Sequence, residues 1–212
     1  VAYLGGGSRG WAWRLMADLA LEESLSGIVR LYDLDFAAAQ ENEAIGNSLL
    51  QRPETKGKWR YQAVTSLKEA LSGADFVIIS ILPGTFQEMA SDVHTPEEYG
   101  IYQSVGDAVG PGGLMRALRT IPIYVDFAEK IRAYSPKAWV INYTNPMSLC
   151  TRTLYEVFPG IKAFGCCHEV FHTQDLLAAM LADIAGIKGL TRNDIKINVL
   201  GINHFTWINQ AT

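Results

Sequence analysis

Three kinds of side chain able to bind a metal or move a proton follow one another in Gly165-Cys166-Cys167-His168-Glu169-Val170, directly after the short apolar run Ile161 to Phe164. The run reads as a strand, and strand ends of this kind are where open α/β sheets carry their chemistry. Neighbours on a regular strand or helix point apart, so Cys, His and Glu in succession cannot all face one ion; at most one or two of them are ligands. The alternative for Cys166 and Cys167 is a pair of small buried hydrophobes at a strand end, the usual fate of a free cysteine. A second segment weighs against that alternative. Another apolar run, Ile195 to Leu200, ends in Gly201-Ile202-Asn203-His204-Phe205. Two strand ends, one offering a thiolate and the other an imidazole, can meet over one ion.

A different chemistry opens the chain. Val1-Ala2-Tyr3-Leu4 leads into Gly5-Gly6-Gly7-Ser8-Arg9-Gly10 and then a helical pattern through Trp13, Leu15, Met16, Leu19 and Ala20. Glycine stands at the first, third and sixth places of the dinucleotide fingerprint, between a strand and a helix. Gly5 allows the tight turn, Gly7 lets backbone approach a pyrophosphate, and the helix after Gly10 aims its amides at the phosphates. Ser8 and Arg9 lie inside the same turn. A second apolar run, Ile28 to Tyr32, ends in Asp33-Leu34-Asp35, at roughly the expected 20 or so residues further on. An acid there accepts from ribose hydroxyls and repels a 2′-phosphate, which favours NAD over NADP. The competing reading is a structural glycine turn with Asp35 capping the next helix.

The elements that must position these groups alternate. A helix from about Phe36 to Leu50, a short strand Tyr61 to Val64, a short helix capped by Ser66 and an apolar run Asp75 to Leu82 follow one another. The last reads as a central parallel strand buried on both faces. From Ser91 to Gly113 the pattern breaks into a stretch rich in glycine and proline, read as a loop, with Asp107 inside it either as a functional carboxylate or as an Asx-turn residue. A helix from about Leu114 to Tyr134 carries Arg116 and Arg119 near its start, where cations oppose the helix dipole and call for a carboxylate, a phosphate or solvent. Ala138 to Ile141 is another strand; it ends in Asn142-Tyr143-Thr144-Asn145-Pro146-Met147, with Asn145 either as N-cap of the next helix or as an amide facing substrate hydroxyls. The fold expected is a Rossmann-like, doubly wound, mostly parallel α/β sheet over residues 1–165, and then, from 166 to 212, the start of a second α+β region for substrate and metal.

Composition closes off several classes. A hydrophobic fraction of 49% with 19% charged residues suits a folded globular domain, and a net charge of -4 supplies no basic footprint for nucleic acid. No apolar run reaches the length of about 18 residues needed to cross a bilayer. Three cysteines, two of them adjacent, make a poor disulfide framework, so the expected compartment is the cytoplasm. Val1 already lies within an apolar run and Thr212 follows Phe205-Thr206-Trp207-Ile208 without a stop signal, which reads as the front part of a longer chain.

Four segments taken together, the glycine fingerprint, Val105-Gly106-Asp107 with Gly110-Pro111-Gly112-Gly113, Asn142 to Met147, and Cys167 to Val170 followed by Gly201 to Phe205, resemble the NAD- and manganese-dependent family 4 glycoside hydrolases. Cys167-His168-Glu169-Val170 resembles the group acting on α-galacturonides; groups acting on 6-phosphosugars differ after the cysteine. The resemblance implies that Cys167 and His204 are the metal ligands, Asn145 contacts sugar hydroxyls, and Asp107 lies near the reacting ring. His168 would protonate the leaving group or orient the substrate, and the galacturonide carboxylate would meet Arg116 or Arg119, or equally a partner beyond Thr212. It further implies a homo-oligomer, a dimer or tetramer.

The implied reaction differs from two-carboxylate hydrolysis. NAD takes a hydride from C3, a base removes the acidified C2 proton, a divalent ion stabilises the resulting charge, the aglycone leaves, water adds and the hydride returns. The tyrosine resembling the family's base would lie beyond Thr212. A thiolate with an imidazole suits zinc as well, so manganese rests on the resemblance. Two other readings stay open: an NAD-dependent hydroxyacid or sugar dehydrogenase, which needs no metal cysteine, and a non-catalytic NAD-binding module. Cys166 and Cys150 are expected in the core, His172 on the helix after His168, and His94 in a polar loop.

Overall fold

The computed structural model describes residues 1–103 and 107–212; Val105 and Gly106 of the Val105-Gly106-Asp107 motif lie outside them. Strands β1 (Ala2–Leu4), β2 (Ser26–Tyr32), β3 (Lys58–Val64), β4 (Phe76–Ile79), β5 (Trp139–Asn142) and β6 (Lys162–Gly165) form one parallel sheet in the order β3-β2-β1-β4-β5-β6. This is the doubly wound order of dinucleotide-binding folds, with the switch point beside β1. Leu4 is in register with both Tyr32 and Ile79, Tyr32 with Val64, Ile79 with Asn142, and Asn142 with Gly165. All six strands therefore end level, and the segments that leave them emerge from one edge.

Helices cover both faces. Ala2 and Leu4 point into a cluster with Val77, Ile79, Val140, Tyr124, Ile131 and Leu154, while Tyr3 points the other way to Val29, Leu31, Ala12, Met16 and Ala39. The alternation along β1 is the period-two rule of a strand buried on both sides. The second face is roofed by α1 (Trp11–Leu21) and α2 (Phe36–Leu49), the first by α3 (Leu67–Leu71), α5 (Gly110–Tyr134) and α6 (Met147–Val157). Among the described residues no helix is long and apolar enough to cross a membrane.

One segment differs from the sequence reading. The stretch from Ser91 to Gly113 is not a plain loop. It holds the end of α4 (Phe86–His94), a 3-10 turn Thr95–Tyr99, and the first turn of α5. Thr85 and Glu88 form a capping box that starts α4, so His94 ends a helix, its Nδ1 3.0 Å from Glu97. Pro111 occupies the helix start where its missing N–H costs nothing, and a Cβ on Gly112 would lie 2.6 Å from the Asp92 carbonyl oxygen. Glycine there serves close helix packing. Beyond the parallel sheet, β7 (Ile197–Ile202) pairs antiparallel with β8 (Phe205–Ala211) in a separate two-stranded sheet, so Asn203 and His204 form a hairpin turn.

Gly5 is the tightest point of the sheet edge, with φ of 97° and space for a Cβ only 1.9 Å from the Ser80 carbonyl oxygen, whereas a Cβ on Gly10 would meet nothing within 4 Å. Gly5→Ala is expected to destabilise the fold by on the order of 3 kcal/mol and Gly10→Ala by less than about 1 kcal/mol in denaturant unfolding.

Candidate functional site

The first half of the site is the glycine turn at the switch point. Both Gly5 N and Gly6 N donate to the Tyr32 carbonyl oxygen at 2.9 Å, and Gly7 N donates to Asp33 Oδ2 at 2.8 Å. The expected acid and the expected turn are thus in direct contact. Asp35 caps α2 by accepting from Ala38 N, as the competing reading held, and Asp33 Oδ1 accepts from Asp35 N at 3.0 Å. Ser8 Oγ accepts from Gly10 N and Trp11 N at 3.4 and 3.2 Å, ordering the entry to α1. The first turn of α1 carries no acidic residue, which leaves its amide end open to an anion. Arg9 lies in solvent, 3.6 Å from Glu41.

One bracing residue escaped the sequence reading. Asn42, in the middle of α2 and 2% exposed, donates through Nδ2 to the carbonyl oxygens of Gly6 and Ser8 at 2.7 and 3.0 Å and accepts from Trp13 Nε1 at 2.7 Å. A buried amide that meets three partners fixes the turn before any ligand arrives. Its only sequence signal is a polar residue on the buried stripe of a helix.

The second half comes from three separate segments. Cys167 follows β6, His204 sits on the hairpin turn, and Asp107 precedes α5. Cys167 Sγ lies 3.4 Å from His204 Nε2, and His204 Nδ1 lies 3.0 Å from Asp107 Oδ1. Two donors about 2.0–2.3 Å from one ion stand roughly 3.0–3.6 Å apart at right or tetrahedral angles, so the thiolate and imidazole fit a shared cation. Asp107, 5% exposed, is placed to accept a hydrogen bond donated by His204 Nδ1, which would present Nε2 to a cation, the carboxylate-histidine arrangement common behind metal sites. Among the described residues no three His, Cys, Asp or Glu side chains are grouped to hold a metal ion, so Cys167 and His204 are two potential donors that would leave the remaining positions to oxygens of a substrate or solvent. Burial lowers the pKa of His204, but the hydrogen bonds and charges of Asp107 and Cys167 outweigh it and raise the value. A proton on Nε2 therefore competes with any cation over a wider pH range than at an ordinary histidine.

Glu169, the first residue of α7 (Glu169–Ala185), is the carboxylate of the sequence motif, read there as a candidate metal or proton-transfer group. Its Oε2 accepts from His204 N at 2.9 Å and Asn203 Nδ2 at 3.1 Å, and its Oε1 accepts from Thr206 Oγ1 at 2.9 Å. His168-Glu169-Val170-Phe171-His172 has the spacing of a helical zinc motif, yet this Glu is committed to the hairpin.

His168 is the exposed N-cap of α7, its ring centroid 4.3 Å from that of His172 and 5.8 Å from that of Trp11. Trp11 in turn stacks on Tyr143 at 5.6 Å, so an aromatic row joins the glycine-turn helix to the Cys-His segment. Asn145 is half-buried at the same edge, but it is not the N-cap of α6: Pro146 takes that position and places Asn145 one residue outside. Arg116 is 8% exposed, and among the described residues its Nε has no hydrogen-bond partner. Arg119 is spoken for, its Nη1 3.1 Å from Asp92 Oδ1 and its Nη2 on Oδ2. Cys150 is fully buried, as expected, and burial pushes its thiol up to about 12 against the opposing influence of Arg116. Cys166 is only half-buried and does not belong to the core; desolvation raises its pKa, with Tyr143 acting the other way.

The model of the family 4 glycosyl hydrolases matches residues 1–183. An α-galacturonidase from Thermoanaerobacterium saccharolyticum is 70% identical over 211 residues, which cover 100% of this chain and 45% of that protein. A crystal structure of the lplD protein from Bacillus subtilis superposes with a TM-score of 0.89 at 63% identity, over 100% of this chain and 48% of that one. A 6-phospho-α-glucosidase from gut microorganisms, crystallised with NAD and Mn2+, shares the fold with a TM-score of 0.80 at 21% identity, over 99% of this chain and 46% of that one. The chain thus spans about half the length of the proteins it matches.

Removing the Asn42 amide strands two backbone carbonyls and the Trp13 indole N–H. Asn42→Ala should cost about 2–3 kcal/mol in denaturant unfolding and free the Trp13 N–H for faster hydrogen exchange.

Proposed function

The chain belongs to the family 4 glycosyl hydrolases, and from that premise we propose that it is the nucleotide- and metal-binding portion of an α-galacturonidase that works with NAD and a divalent ion, manganese by preference. Residues 1–165 hold the nucleotide, and 166–212 begin the metal and substrate region. The observation that carries this reading is the meeting of Cys167 and His204 at 3.4 Å, backed by Asp107. A dehydrogenase of hydroxyacids has no use for such a pair. The α-galacturonidase at 70% identity supports the substrate class, and the NAD and Mn2+ of the 6-phospho-α-glucosidase structure support the cofactors.

When bound, NAD supplies a reversible hydride acceptor and the ion a Lewis acid for charge on sugar oxygens. The chain's own residues do the rest. Gly5 and Gly7 keep backbone close to the pyrophosphate, the open amide end of α1 after Gly10 faces its charge, and Asp33 accepts from the ribose hydroxyls. Ser8 orders that amide end, and Arg9 lies near enough to the turn to screen phosphate charge. Cys167 and His204 hold the ion, with Asp107 fixing the tautomer of His204. His168, exposed beside Cys167, donates a proton to the departing oxygen or orients it. Asn145 binds sugar hydroxyls. Arg116, a buried cation with an open Nε, pairs with the C6 carboxylate that distinguishes a galacturonide from a galactoside. The protein acts on a small uronic acid glycoside in the cytoplasm as a homo-oligomer.

Three measurements on the complete protein test this reading. Cys167→Ser and His204→Ala should abolish metal-dependent turnover while NAD affinity by calorimetry stays nearly unchanged; equal damage from Cys166→Ser would show that the wrong cysteine has been assigned. NADP should bind far more weakly than NAD, and Asp33→Ala should narrow the gap. Leaving Arg116 unpaired costs on the order of 2–5 kcal/mol, so α-galacturonides should outpace neutral α-galactosides by at least about a hundredfold in kcat/KM, with Arg116→Ala collapsing most of the difference.

A further inference from the structure

His204 is the one non-glycine residue with a left-handed backbone among the described residues, with φ of 62°. Positive φ at the second position of a two-residue turn is the place of glycine or asparagine, and a histidine there costs on the order of 1 kcal/mol or more. The turn belongs to a two-stranded hairpin, and isolated hairpins are marginal. Something outside the hairpin must hold this conformation.

Glu169 is placed to do so from both sides. Its backbone N–H donates to Cys167 Sγ at 3.4 Å, while its carboxylate takes His204 N, Asn203 Nδ2 and Thr206 Oγ1. One residue therefore reaches from the thiolate of one proposed ligand to the main chain of the other, across a separation of 35 residues in sequence. The carboxylate accepts three hydrogen bonds, all from the turn and the start of β8, and none comes from a cation. Its charge is spent on backbone and side-chain donors of the hairpin, which is the work of an orienting group and not of a ligand.

We infer that Glu169 is the positioning residue for the metal pair: it holds the hairpin turn so that His204 Nε2 stays opposite the Cys167 thiolate. The inference rests on the reading of Cys167 and His204 as the residues that hold the ion. It also separates two roles that a carboxylate beside a metal cysteine could play. A glutamine can satisfy all three donors, because its amide oxygen can accept from His204 N and Asn203 Nδ2 while its NH2 donates to Thr206 Oγ1, whose hydroxyl rotates to accept. A ligand or a general base would lose its function with the charge; a positioning group would not.

The test measures Mn2+ dissociation by electron paramagnetic resonance, the thiolate charge-transfer band of bound Co2+, and the His204 imidazole NMR signals of the metal-free complete protein. Glu169→Ala is expected to weaken Mn2+ binding about 10–100-fold and to move or broaden the His204 signals, with far-UV circular dichroism unchanged. Glu169→Gln is expected to restore the signals and to bind Mn2+ within about threefold of the parent, as only the charge assistance is lost. Glutamine as damaging as alanine would overturn the inference and make Glu169 a ligand or base. So would Glu169→Ala with unaltered Mn2+ binding and unmoved His204 signals. If Glu169→Ala fails to fold, Thr206→Val withdraws one donor and keeps the carboxylate; a several-fold loss of Mn2+ affinity is then expected, and no loss counts against the role. Should Cys167→Ser leave Mn2+ binding untouched, the pair is not the ion's seat, and the His204 signals alone decide whether Glu169 holds the turn.

Discussion

A carboxylate buried to 5% exposure before α5 and an imidazole on a hairpin turn, 97 residues apart in sequence, meet at 3.0 Å, and the second half of the site depends on that meeting. Asp107 without His204 would lose its ion-pair partner while remaining buried, at a cost of several kcal/mol. His204 without Asp107 would be free to place its proton on either ring nitrogen, including the one that faces Cys167. Each group thus answers a need of the other. The contact also joins the loop before a long helix of the first core to a hairpin outside the parallel sheet, two parts of the chain that share little else.

The parallel sheet supplies the complementary constraint. Because the six strands end in register, Gly5, Asp33, Asn145 and Cys167 all come after strands that end at the same edge, each on a loop the sheet holds still. Strand order then divides the labour. The β2-β1 side carries the glycine turn and the acid, the β5-β6 side carries the amide and the thiol, and the switch point lies between them. Trp11, stacked on Tyr143 and tilted against His168, spans that division.

Much of this was readable from residue types in order. Strand ends announce themselves by apolar runs, the fingerprint by glycine spacing, and Asp33 by its distance from the fingerprint, because each signal is local and has one physical cause. The readings that failed were those where one composition serves two structures. Glycine and proline between Gly110 and Gly113 mean a loop when they free the backbone, and a helix start when they admit a close neighbour; only the Asp92 carbonyl opposite Gly112 decides which. Asn145 before Pro146 looks like a cap until the cap turns out to be the proline itself. Asn42, and the bracing part played by Glu169, were missed for another reason. Their partners lie 36 and 35 residues away, and nothing in the neighbouring sequence marks a side chain whose task is to hold someone else's backbone.

The hairpin formed by β7 and β8 has one further consequence, which concerns time and not geometry. In the sheet its two strands pair only with each other, and Leu200, Ile202, Phe205 and Trp207 on it are each about half exposed. Such a unit, held to the rest of the chain through Glu169 and Asp107, is expected to open with a smaller free energy than the six-stranded sheet. His204 and Cys167 therefore belong to cooperative units of different lifetime, the imidazole on the one that opens often and the thiolate beside the one that rarely does. The rate at which an ion is caught or released at this pair would be governed by the breathing of the hairpin, while the nucleotide half of the site persists through many such openings.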